Sequence, residues 1–404
     1  MILKMAWKNI WRNWTRSLVI MLSVTAGLFA GLFVLALYKG MMKGRVKTVI
    51  YAETGHFQIH QKGFSAEQDP KLYITHPQQL WSLLQKDPRI AVMTTRTIAT
   101  GMISNARGSS GINLIGVDPE EENPVSGLSE KLREGEWKMK GTKKGILVGR
   151  KLANKMGLEL GKKVVVTMTD TTDEMISAAF RITGIYQSSN APLDEVNVYL
   201  KAEDLQSMLS MPGEKHEIAV ILKQDEMLSA TIADLRTKFP SLAIESWDEL
   251  SPETNLMVNT MDYYSYIILI IILIALSFGI MNTMMMAVLE RKKELSMMMA
   301  LGMSARQLLW MILTETVLLT AIGIPFTWII SNITIGYYAK KGIDMSGLRE
   351  EMMQSFGFST TIYPSFPSEK MVPIMMLVLI TALLSSIVPM IKTSQMKPST
   401  ALQQ

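Results

Sequence analysis

Residues that could support catalysis or metal binding are few in this 404-residue chain, which has four histidines and no cysteine. His56 and His60 would point to the same face of a β-strand and could share a metal ion, but a third ligand is not apparent. His216-Glu217 resembles the start of the zinc-protease helix motif, yet Val220 stands where that motif has its second histidine. The sequence therefore predicts no catalytic residue and no metal site.

Motifs for nucleotide binding and ester hydrolysis do not occur either. The chain has no Gly-x-Ser-x-Gly turn and no Gly-rich loop that ends in Lys and then Ser or Thr. We therefore expect no cofactor in this chain. The net charge of +5 is not accompanied by a basic stripe with interleaved aromatic residues in the polar block, so nucleic-acid binding is not predicted.

Apolar residues make up 48% of the chain and are concentrated in four long runs. These are residues 17–38, 263–289, 308–339 and 371–391, and Glu315 is the one carboxylate inside them. Each run is long enough to cross a bilayer core, which takes about 20 residues of helix. The first is also longer than the apolar core of a signal peptide, about 7 to 15 residues, so it is predicted to be a retained anchor.

The charges that flank these runs predict their orientation. Residues 43–253 contain 26 basic and 28 acidic residues, so the positive excess of the whole chain lies beside the spans. Short Lys- and Arg-rich segments stay in the cytoplasm, which predicts cytoplasmic termini and an external block between the first two spans. The flanking cations are Lys4, Lys8, Arg12, Arg16, Arg291, Lys292, Lys293, Arg306, Lys392 and Lys397.

The first 16 residues combine a basic edge with an indole edge. Cations recur every four residues beside tryptophans at helical spacing, an arrangement typical of a helix that lies in the lipid headgroup layer. Ordinary charge flanking a transmembrane helix is the alternative. The residues assigned to this membrane-interface helix are Lys4, Trp7, Lys8, Trp11, Arg12 and Trp14.

The block between the first two spans mixes short strands with short helices, which predicts an α+β domain. Predicted strands cover residues 56–60, 164–168, 180–186 and 196–200, and predicted helices cover 77–86, 148–156, 203–209 and 227–239. Gly108 to Gly111 is predicted to be a turn. Residues 247–261 are predicted to continue as one helix into the second span.

The predicted fold is an α-helical membrane protein with four transmembrane helices and a large α+β extracytoplasmic domain between helices 1 and 2. Its parts are an amphipathic interfacial helix (1–16), transmembrane helix 1 (17–42), the periplasmic α+β domain (43–260), transmembrane helix 2 (261–289), a cytoplasmic coupling helix (290–306), transmembrane helix 3 (307–339), a short periplasmic loop (340–370), transmembrane helix 4 (371–391) and a cytoplasmic tail (392–404).

The segment after the second span begins with Glu290-Arg291-Lys292-Lys293-Glu294 and continues with good helix formers. It predicts a short amphipathic helix parallel to the membrane, with Leu295, Met298, Met299 and Gly302 near one face. A Met-rich face adapts to an irregular groove and could fit a partner that changes shape. A solvated loop whose methionines touch the headgroups is the alternative.

Several segments together resemble the MacB/FtsX/LolE superfamily of ABC transporter permeases, and most of all its lipoprotein-releasing, LolC/LolE-type branch. Residues 282–294 with Ala300-Leu301-Gly302-Met303 and Glu315 are similar to the second span and coupling helix of that family. The resemblance also covers Trp7 to Asn13, Gly55 to His60, Gly157 to Val164, Phe180 to Ile185 and Lys397 to Leu402.

The resemblance implies a permease subunit of the bacterial inner membrane that is not itself an enzyme. ABC ATPase subunits, which bind ATP and Mg, would contact this chain, and a second permease copy or a paralogue would complete a dimer. ATP-driven motion would be transmitted to the periplasmic domain, a mode called mechanotransmission. The residues expected to couple to the ATPase are Glu290, Arg291, Lys292, Glu294, Leu295, Met298, Met299, Leu301 and Gly302.

The expected substrate is a lipoprotein released from the outer leaflet, or another amphipathic molecule, with a periplasmic carrier or adaptor and membrane lipids as further partners. The LolC-type members recruit a carrier through a long Pro-containing hairpin, whereas residues 169–177 here are short and lack Pro. A MacB-like efflux permease for peptides or drugs is the first alternative. A membrane-anchored sensor without transport is the second.

Two further expectations concern residues within the spans. A carboxylate inside the bilayer is costly unless it is paired, so Glu315 is predicted to face protein, near Arg306. Gly27, Gly31 and Gly279 would allow close helix approach, either around a substrate cavity or within one subunit.

Overall fold

The computed structural model describes residues 2–12, 14–137, 144–347 and 350–394. The chain forms two compact units. The membrane unit comprises Met1–Met42, Asn259–Ile343 and Ile362–Gln404, and the sheet unit comprises Lys43–Val258 and Asp344–Thr361. The predicted tail beyond residue 394 lies outside the described residues.

The α-helices of the described residues are numbered in chain order. They are α1 Ile2–Arg12, α2 Trp14–Thr48, α3 Phe64–Glu67, α4 Pro77–Gln85, α5 Pro119–Ser126, α6 Arg150–Met156, α7 Ala191–Val196, α8 Ala202–Met208, α9 Leu228–Lys238, α10 Trp247–Leu250, α11 Pro252–Glu290, α12 Lys292–Ala300, α13 Ala305–Lys341, α14 Glu350–Ser355, α15 Met371–Ser385 and α16 Ile387–Ser394.

The β-strands are numbered in the same way. They are β1 Phe57–Gln61, β2 Ile90–Asn105, β3 Gly108–Val117, β4 Leu132–Gly135, β5 Gly145–Gly149, β6 Lys163–Thr169, β7 Met175–Tyr186, β8 Asn197–Lys201, β9 Glu217–Leu222, β10 Leu242–Ser246, β11 Ile343–Asp344 and β12 Thr361–Ile362.

Four stretches of helix in the described residues are long and apolar enough to span a membrane: Ser17–Thr54, Pro252–Glu290, Ala305–Lys341 and Met371–Lys392. Each contains one of the four apolar runs of the sequence. The first two extend beyond those runs by about three turns or more, and the third by two or three residues at each end, because polar residues at the ends continue the helix. Their shared core includes Leu28, Leu32, Leu276, Leu319 and Val378.

Two glycines bring α2 against α11 within the membrane unit. A β-carbon at Gly27 would lie 3.0 Å from Leu276 Cδ1, and one at Gly31 would lie 2.8 Å from Ile272 Cγ2. The small residues therefore allow close packing of these two helices inside one chain. Gly279 has no such neighbour among the described residues, since a β-carbon there would meet nothing within 4 Å.

In the part of the chain that the structure describes, the sheet unit is built on ten paired strands. β2 is shared between two parts, because its first half pairs with β9 and its second half pairs with β6. β10, β1, β9 and the first half of β2 form an antiparallel sheet, and α9 and α4 pack on it through Leu235, Ile232 and Leu84. The second half of β2 continues into a separate set of strands.

That second set closes into a ring of six strands. The pairings run from β2 to β3, β8, β5, β7 and β6 and then back to β2. Buried residues such as Ile103, Leu114, Ile146, Val166 and Phe180 form its core. Closure leaves few unpaired strand edges, which stabilises an isolated set of short strands. The α+β prediction is confirmed.

Two local predictions differ from the structure. Gly108 to Gly111 belong to β3 instead of a turn, because the preceding Asn105 side chain accepts hydrogen bonds from the backbone of Arg107 and Gly108 and sets the hairpin turn there. The helix into the second span is interrupted at Ser251, since α10 ends at Leu250 and α11 begins at Pro252. Proline is favoured at the first helical position, so a new helix starts there.

Candidate functional site

The segment between α11 and α13 forms a short connecting helix. α11 ends at Glu290, Arg291 leaves the helical conformation, and α12 then runs from Lys292 to Ala300. Gly302 has a φ angle of +96°, which a glycine adopts without strain, and it allows the sharp turn into α13. Ser304 caps α13 by accepting a hydrogen bond from the Gln307 backbone.

Arg291 ties this connecting helix to α13. Its Nη1 lies 3.3 Å and 3.2 Å from the two carboxylate oxygens of Glu315, and its Nε lies 3.2 Å from Glu294 Oε2. The Arg291 side chain is only 7% exposed, and its Nη2 makes no hydrogen bond with a described residue. Glu315 is buried as predicted, but its partner is Arg291 and not Arg306, which is exposed.

The prediction of Arg306 was wrong for a geometrical reason. Arg306 lies in the first turn of α13, nine residues before Glu315. Side chains on one helix meet at spacings of three or four residues, so these two do not meet. The turn at Gly302 instead folds α12 back so that Arg291, 24 residues before Glu315, comes next to it. Sequence spacing alone contains no signal for this contact.

Glu294 joins the connecting helix to the N-terminal helix. Its Oε2 lies 2.6 Å from Arg12 Nη2, in an ion pair whose side chains are both about half exposed. Exposed ion pairs contribute at most about 1 kcal/mol, so this one positions the two helices more than it stabilises them. Glu294 therefore contacts both Arg291, which pairs with Glu315 of α13, and Arg12 of α1.

The apolar face of α12 packs mostly within the protein. Leu295 is buried at 2% exposure, and Met298 and Met299 pack partly against the membrane core, so the predicted partner-facing side points mostly inward. The outward apolar residues are Met297, half exposed, and Leu301, 88% exposed. Of the predicted coupling residues, Glu290, Leu301 and Gly302 are exposed, whereas Lys292 and Glu294 are half-buried.

The N-terminal helix has the predicted exposed cations and indoles. Lys4, Lys8 and Arg12 are exposed, and Trp7 and Trp11 meet edge to face with ring centroids 6.0 Å apart. Its opposite face is protein-bound, because Ala6 and Ile10 are buried and Asn9 contacts Met311 of α13. The last tryptophan of the predicted set, Trp14, is also exposed but begins α2.

His56 and His60 of the sheet unit are buried and contact other residues of that unit. His60 is buried, with Nε2 3.5 Å from Glu217 and Nδ1 3.4 Å from Glu245. Burial lowers its pKa, but the two carboxylates outweigh burial and raise the pKa to about 9. His56 accepts a hydrogen bond from the Leu222 backbone at Nδ1 and donates one from Nε2 to Asp225. Among the described residues no three His, Asp or Glu side chains are grouped so that they could hold a metal ion.

Two protein families match the chain, one after the other. Residues 17–238, more than half of the chain, match the MacB-like periplasmic core domain, and residues 266–398 match the FtsX-like permease C-terminal domain. The first match covers the first span and most of the sheet unit. The second covers the remaining spans and the connecting helix.

Relatives of low identity extend over most of the length. The chain is 21% identical over 340 residues to the lipoprotein-releasing system transmembrane protein LolC of Xylella fastidiosa, which is 80% of each chain. It is 22% identical over 251 residues to the corresponding protein LolE of Haemophilus influenzae, which is 60% of each. The periplasmic region of MacB from Actinobacillus actinomycetemcomitans shares 16% identity with a TM-score of 0.36, covering 52% of this chain and 95% of that one.

Four spans with an α/β domain after the first define a class of multi-pass transporter permeases with a periplasmic-type domain. The chain belongs to the MacB/FtsX/LolE family of ABC transporter permeases. Permeases of this family are generally not catalytic and work with ATPase partners.

Proposed function

We propose that this chain is the permease subunit of a mechanotransmission-type ABC transporter that releases lipoproteins from the outer leaflet of the bacterial inner membrane. The observation that carries the proposal is the similarity to LolC, a protein of a lipoprotein-releasing system, over four-fifths of both chains. The arrangement around the connecting helix supports ATP-driven transport. The sheet unit would be periplasmic and both termini cytoplasmic, as the flanking cations favour.

In this proposal α12 is the coupling helix and a separate ATPase chain, which binds ATP and Mg, docks on its outward face. Met297 and Leu301 offer apolar side chains beside the charge of Lys293. The pairs that join Arg291 to Glu315 and Arg12 to Glu294 link α12 to two other helices. A displacement of α12 by the ATPase would thus move α13 and α1 as well, which a loose loop would not do.

A second permease, either another copy or a paralogue, would complete the transporter. α11 has an exposed apolar face that includes Ile267, Ile271, Ile274 and Phe278. In a bilayer such a face can meet lipid or a partner helix without cost. The lipid chains of the substrate would pass along such faces, and a periplasmic carrier or adaptor would receive the product.

The test is purification of the complex from its native membrane, followed by reconstitution into liposomes that hold a triacylated lipoprotein. We expect an ABC ATPase to copurify and ATP to release the lipoprotein into a soluble acceptor. Copurified ATPase without lipoprotein release would contradict the substrate. The lack of any ATPase partner would contradict transport and favour a membrane-anchored sensor.

A second candidate function is MacB-like efflux of amphipathic peptides or drugs through a periplasmic adaptor. The match of residues 17–238 to the MacB-like periplasmic core domain favours it. The same purification separates the two, because a stable adaptor and an outer-membrane duct without bound lipoprotein would support efflux.

A further inference from the structure

The N-terminal helix α1 and the third span, α13, enclose an apolar groove of about 300 Å³. Its walls are Leu3, Lys4, Trp7 and Lys8 of α1 and Leu318 of α13. Both helices belong to the membrane unit. Leu3 is 62% exposed and Trp7 is 45% exposed, so the groove is open along its side and the described part of the chain does not fill it.

Two pairs of α1 side chains form the edge of this groove. Residues four positions apart on a helix are neighbours, with β-carbons about 5 to 6 Å apart. Leu3 and Trp7 are one such pair, and both are apolar. Lys4 and Lys8 are the adjacent pair, and both are basic. The groove therefore has an apolar wall with two ammonium groups along its rim.

Lys4 and Lys8 have no counter-charge within the described part of the chain. Both side chains are exposed, and neither makes an ion pair or a hydrogen bond with any residue that the structure describes. Arg12, one turn further along α1, differs because it lies 2.6 Å from Glu294. Like charges four residues apart destabilise a helix, so an anion between the two lysines would stabilise this end of α1.

The uncharged part of α13 places the groove at the boundary between headgroups and acyl chains. From residue 316 to residue 339 this helix has no charged side chain, and those 24 residues rise about 36 Å, close to the thickness of a bilayer core, about 30 Å. Leu318 lies in the first turn of this stretch, three residues after Glu315. Tryptophan is enriched at the same boundary, where Trp7 contacts the groove. A ligand of this groove therefore comes from the lipid phase.

The charge and polarity of the groove distinguish between ligand classes. An uncharged lipid would cover the apolar wall but leave both ammonium groups without a counter-charge. Inorganic phosphate would pair with the ammonium groups but leave the apolar wall open. A phospholipid with a net negative headgroup does both, because its phosphate can reach Lys4 and Lys8 while an acyl chain covers Leu318.

We propose that this groove binds one anionic phospholipid, with its phosphate between Lys4 and Lys8 and an acyl chain along Leu3, Trp7 and Leu318. Two cations joined to a groove of fixed shape make a discrete site, in contrast to a surface that attracts anionic lipid by charge alone. Such a lipid would bind whatever substrate the transporter moves, so a failure of lipoprotein release leaves this site unaffected.

The experiment is native mass spectrometry of the full-length chain, delipidated in detergent and titrated with phosphatidylglycerol or with phosphatidylcholine, which has no net charge. We expect the first phosphatidylglycerol to bind more tightly than phosphatidylcholine. Lys4→Gln combined with Lys8→Gln should weaken phosphatidylglycerol binding about twentyfold, roughly a factor of five for each cation beside an anionic headgroup. Leu318→Trp keeps both cations but fills the groove, and should weaken binding by a similar factor.

Matched controls change the same types of residue away from the groove. Lys340→Gln combined with Lys341→Gln removes two cations at the other end of α13, and Ile333→Trp adds an indole at a 68% exposed position of that helix. Both controls should bind phosphatidylglycerol as the wild type does. Leu3→Glu, at an exposed position of the wall, places a carboxylate beside the phosphate and should weaken binding even where Leu318→Trp fails to fold.

Weakened phosphatidylglycerol binding in the groove variants, with normal binding in the controls, supports the site. Equal affinity of the wild type for the two lipids overturns it, as does normal binding by the double lysine variant or by Leu3→Glu. Equal weakening in the variant without Lys340 and Lys341 also overturns it, since binding would then follow net charge alone. Displacement of phosphatidylglycerol by inorganic phosphate, but not by chloride at the same ionic strength, would assign the site to a free anion and overturn the lipid.

Discussion

At the scale of single residues, burial decides what the charged groups of this protein do. Arg291 and Glu315 are both nearly removed from solvent, whereas Arg12 and Glu294 are about half exposed. Removal of one member of a buried ion pair leaves the other charge without compensation, which costs about 3 to 5 kcal/mol of stability. Loss of an exposed ion pair costs at most about 1 kcal/mol.

Glu315→Leu is therefore expected to destabilise the protein strongly, because Arg291 is left buried beside Glu294 alone. Arg291→Met combined with Glu315→Leu should be less destabilised than the sum of the two single variants, and Arg12→Ala, the exposed control, should change little. The measurement is the apparent melting temperature of the detergent-solubilised chain. An unchanged melting temperature for Glu315→Leu would show that the pair has no structural role.

Asp194 gives the sheet unit a pH dependence with a definite sign. Burial raises the pKa of this carboxyl to about 6 from 3.8, although Ser188 donates to it twice. The folded state thus holds the proton more tightly than the unfolded state. Protonated Asp194 therefore contributes up to about 3 kcal/mol to the free energy of unfolding below about pH 4. This contribution is lost as pH rises through about 6.

Asp194→Asn should remove this dependence, since an amide accepts from Ser188 without a charge. Relative to the wild type, the variant is expected to gain apparent melting temperature between pH 4 and pH 7. The comparison is made on the full-length chain in one detergent. Parallel melting curves of the two proteins across this pH range would contradict the assignment.

At the scale of elements, the connecting helix shows that tertiary contacts decide what covers an apolar face deduced from spacing. Leu295, Met298 and Met299 do share a face, as the periodicity predicts, but that face packs against the membrane core. The exposed side with Met297 and Leu301 was not predicted as a set. An amphipathic pattern identifies the apolar side of a helix, but it does not say whether protein, lipid or a partner covers that side.

Met297→Asp and Leu301→Asp should each weaken the ATPase interaction at least tenfold, because a charge then enters an apolar contact. Both side chains are exposed, so folding should be unaffected. Met175→Asp, which changes an 80% exposed methionine of β7 in the sheet unit, is the matched control. Copurification of the ATPase and its stimulated ATP hydrolysis are measured. Normal values for both Met297→Asp and Leu301→Asp would place the docking surface elsewhere.

At the scale of the whole molecule, the charges beside the spans predict which segments face the cytoplasm. The chain contains no cysteine, so single cysteines can be introduced without removing others. Ala300 in α12 and Lys162 in the sheet unit are both exposed. They report on the two sides of the membrane that the proposal assigns.

Ala300→Cys is expected to react with a membrane-impermeant maleimide only in inverted vesicles or after lysis, since Lys- and Arg-rich segments remain in the cytoplasm. Lys162→Cys should react from the periplasm in spheroplasts. The extent of labelling is read on gels for each variant. Labelling of Ala300→Cys in intact spheroplasts would reverse the topology and end the coupling proposal.

The sequence by itself determined the four spans, the α+β character of the inserted domain and the burial of Glu315, because each depends on local hydropathy or on the cost of a charge in lipid. Only the tertiary structure decided that Arg291 pairs with Glu315, that Leu295 faces inward and that six strands close into a ring. It also decided that the segment Asp344–Thr361, predicted as a loop, belongs to the sheet unit. Such contacts join residues far apart in the chain, and residue spacing contains no information about which distant partner a side chain meets.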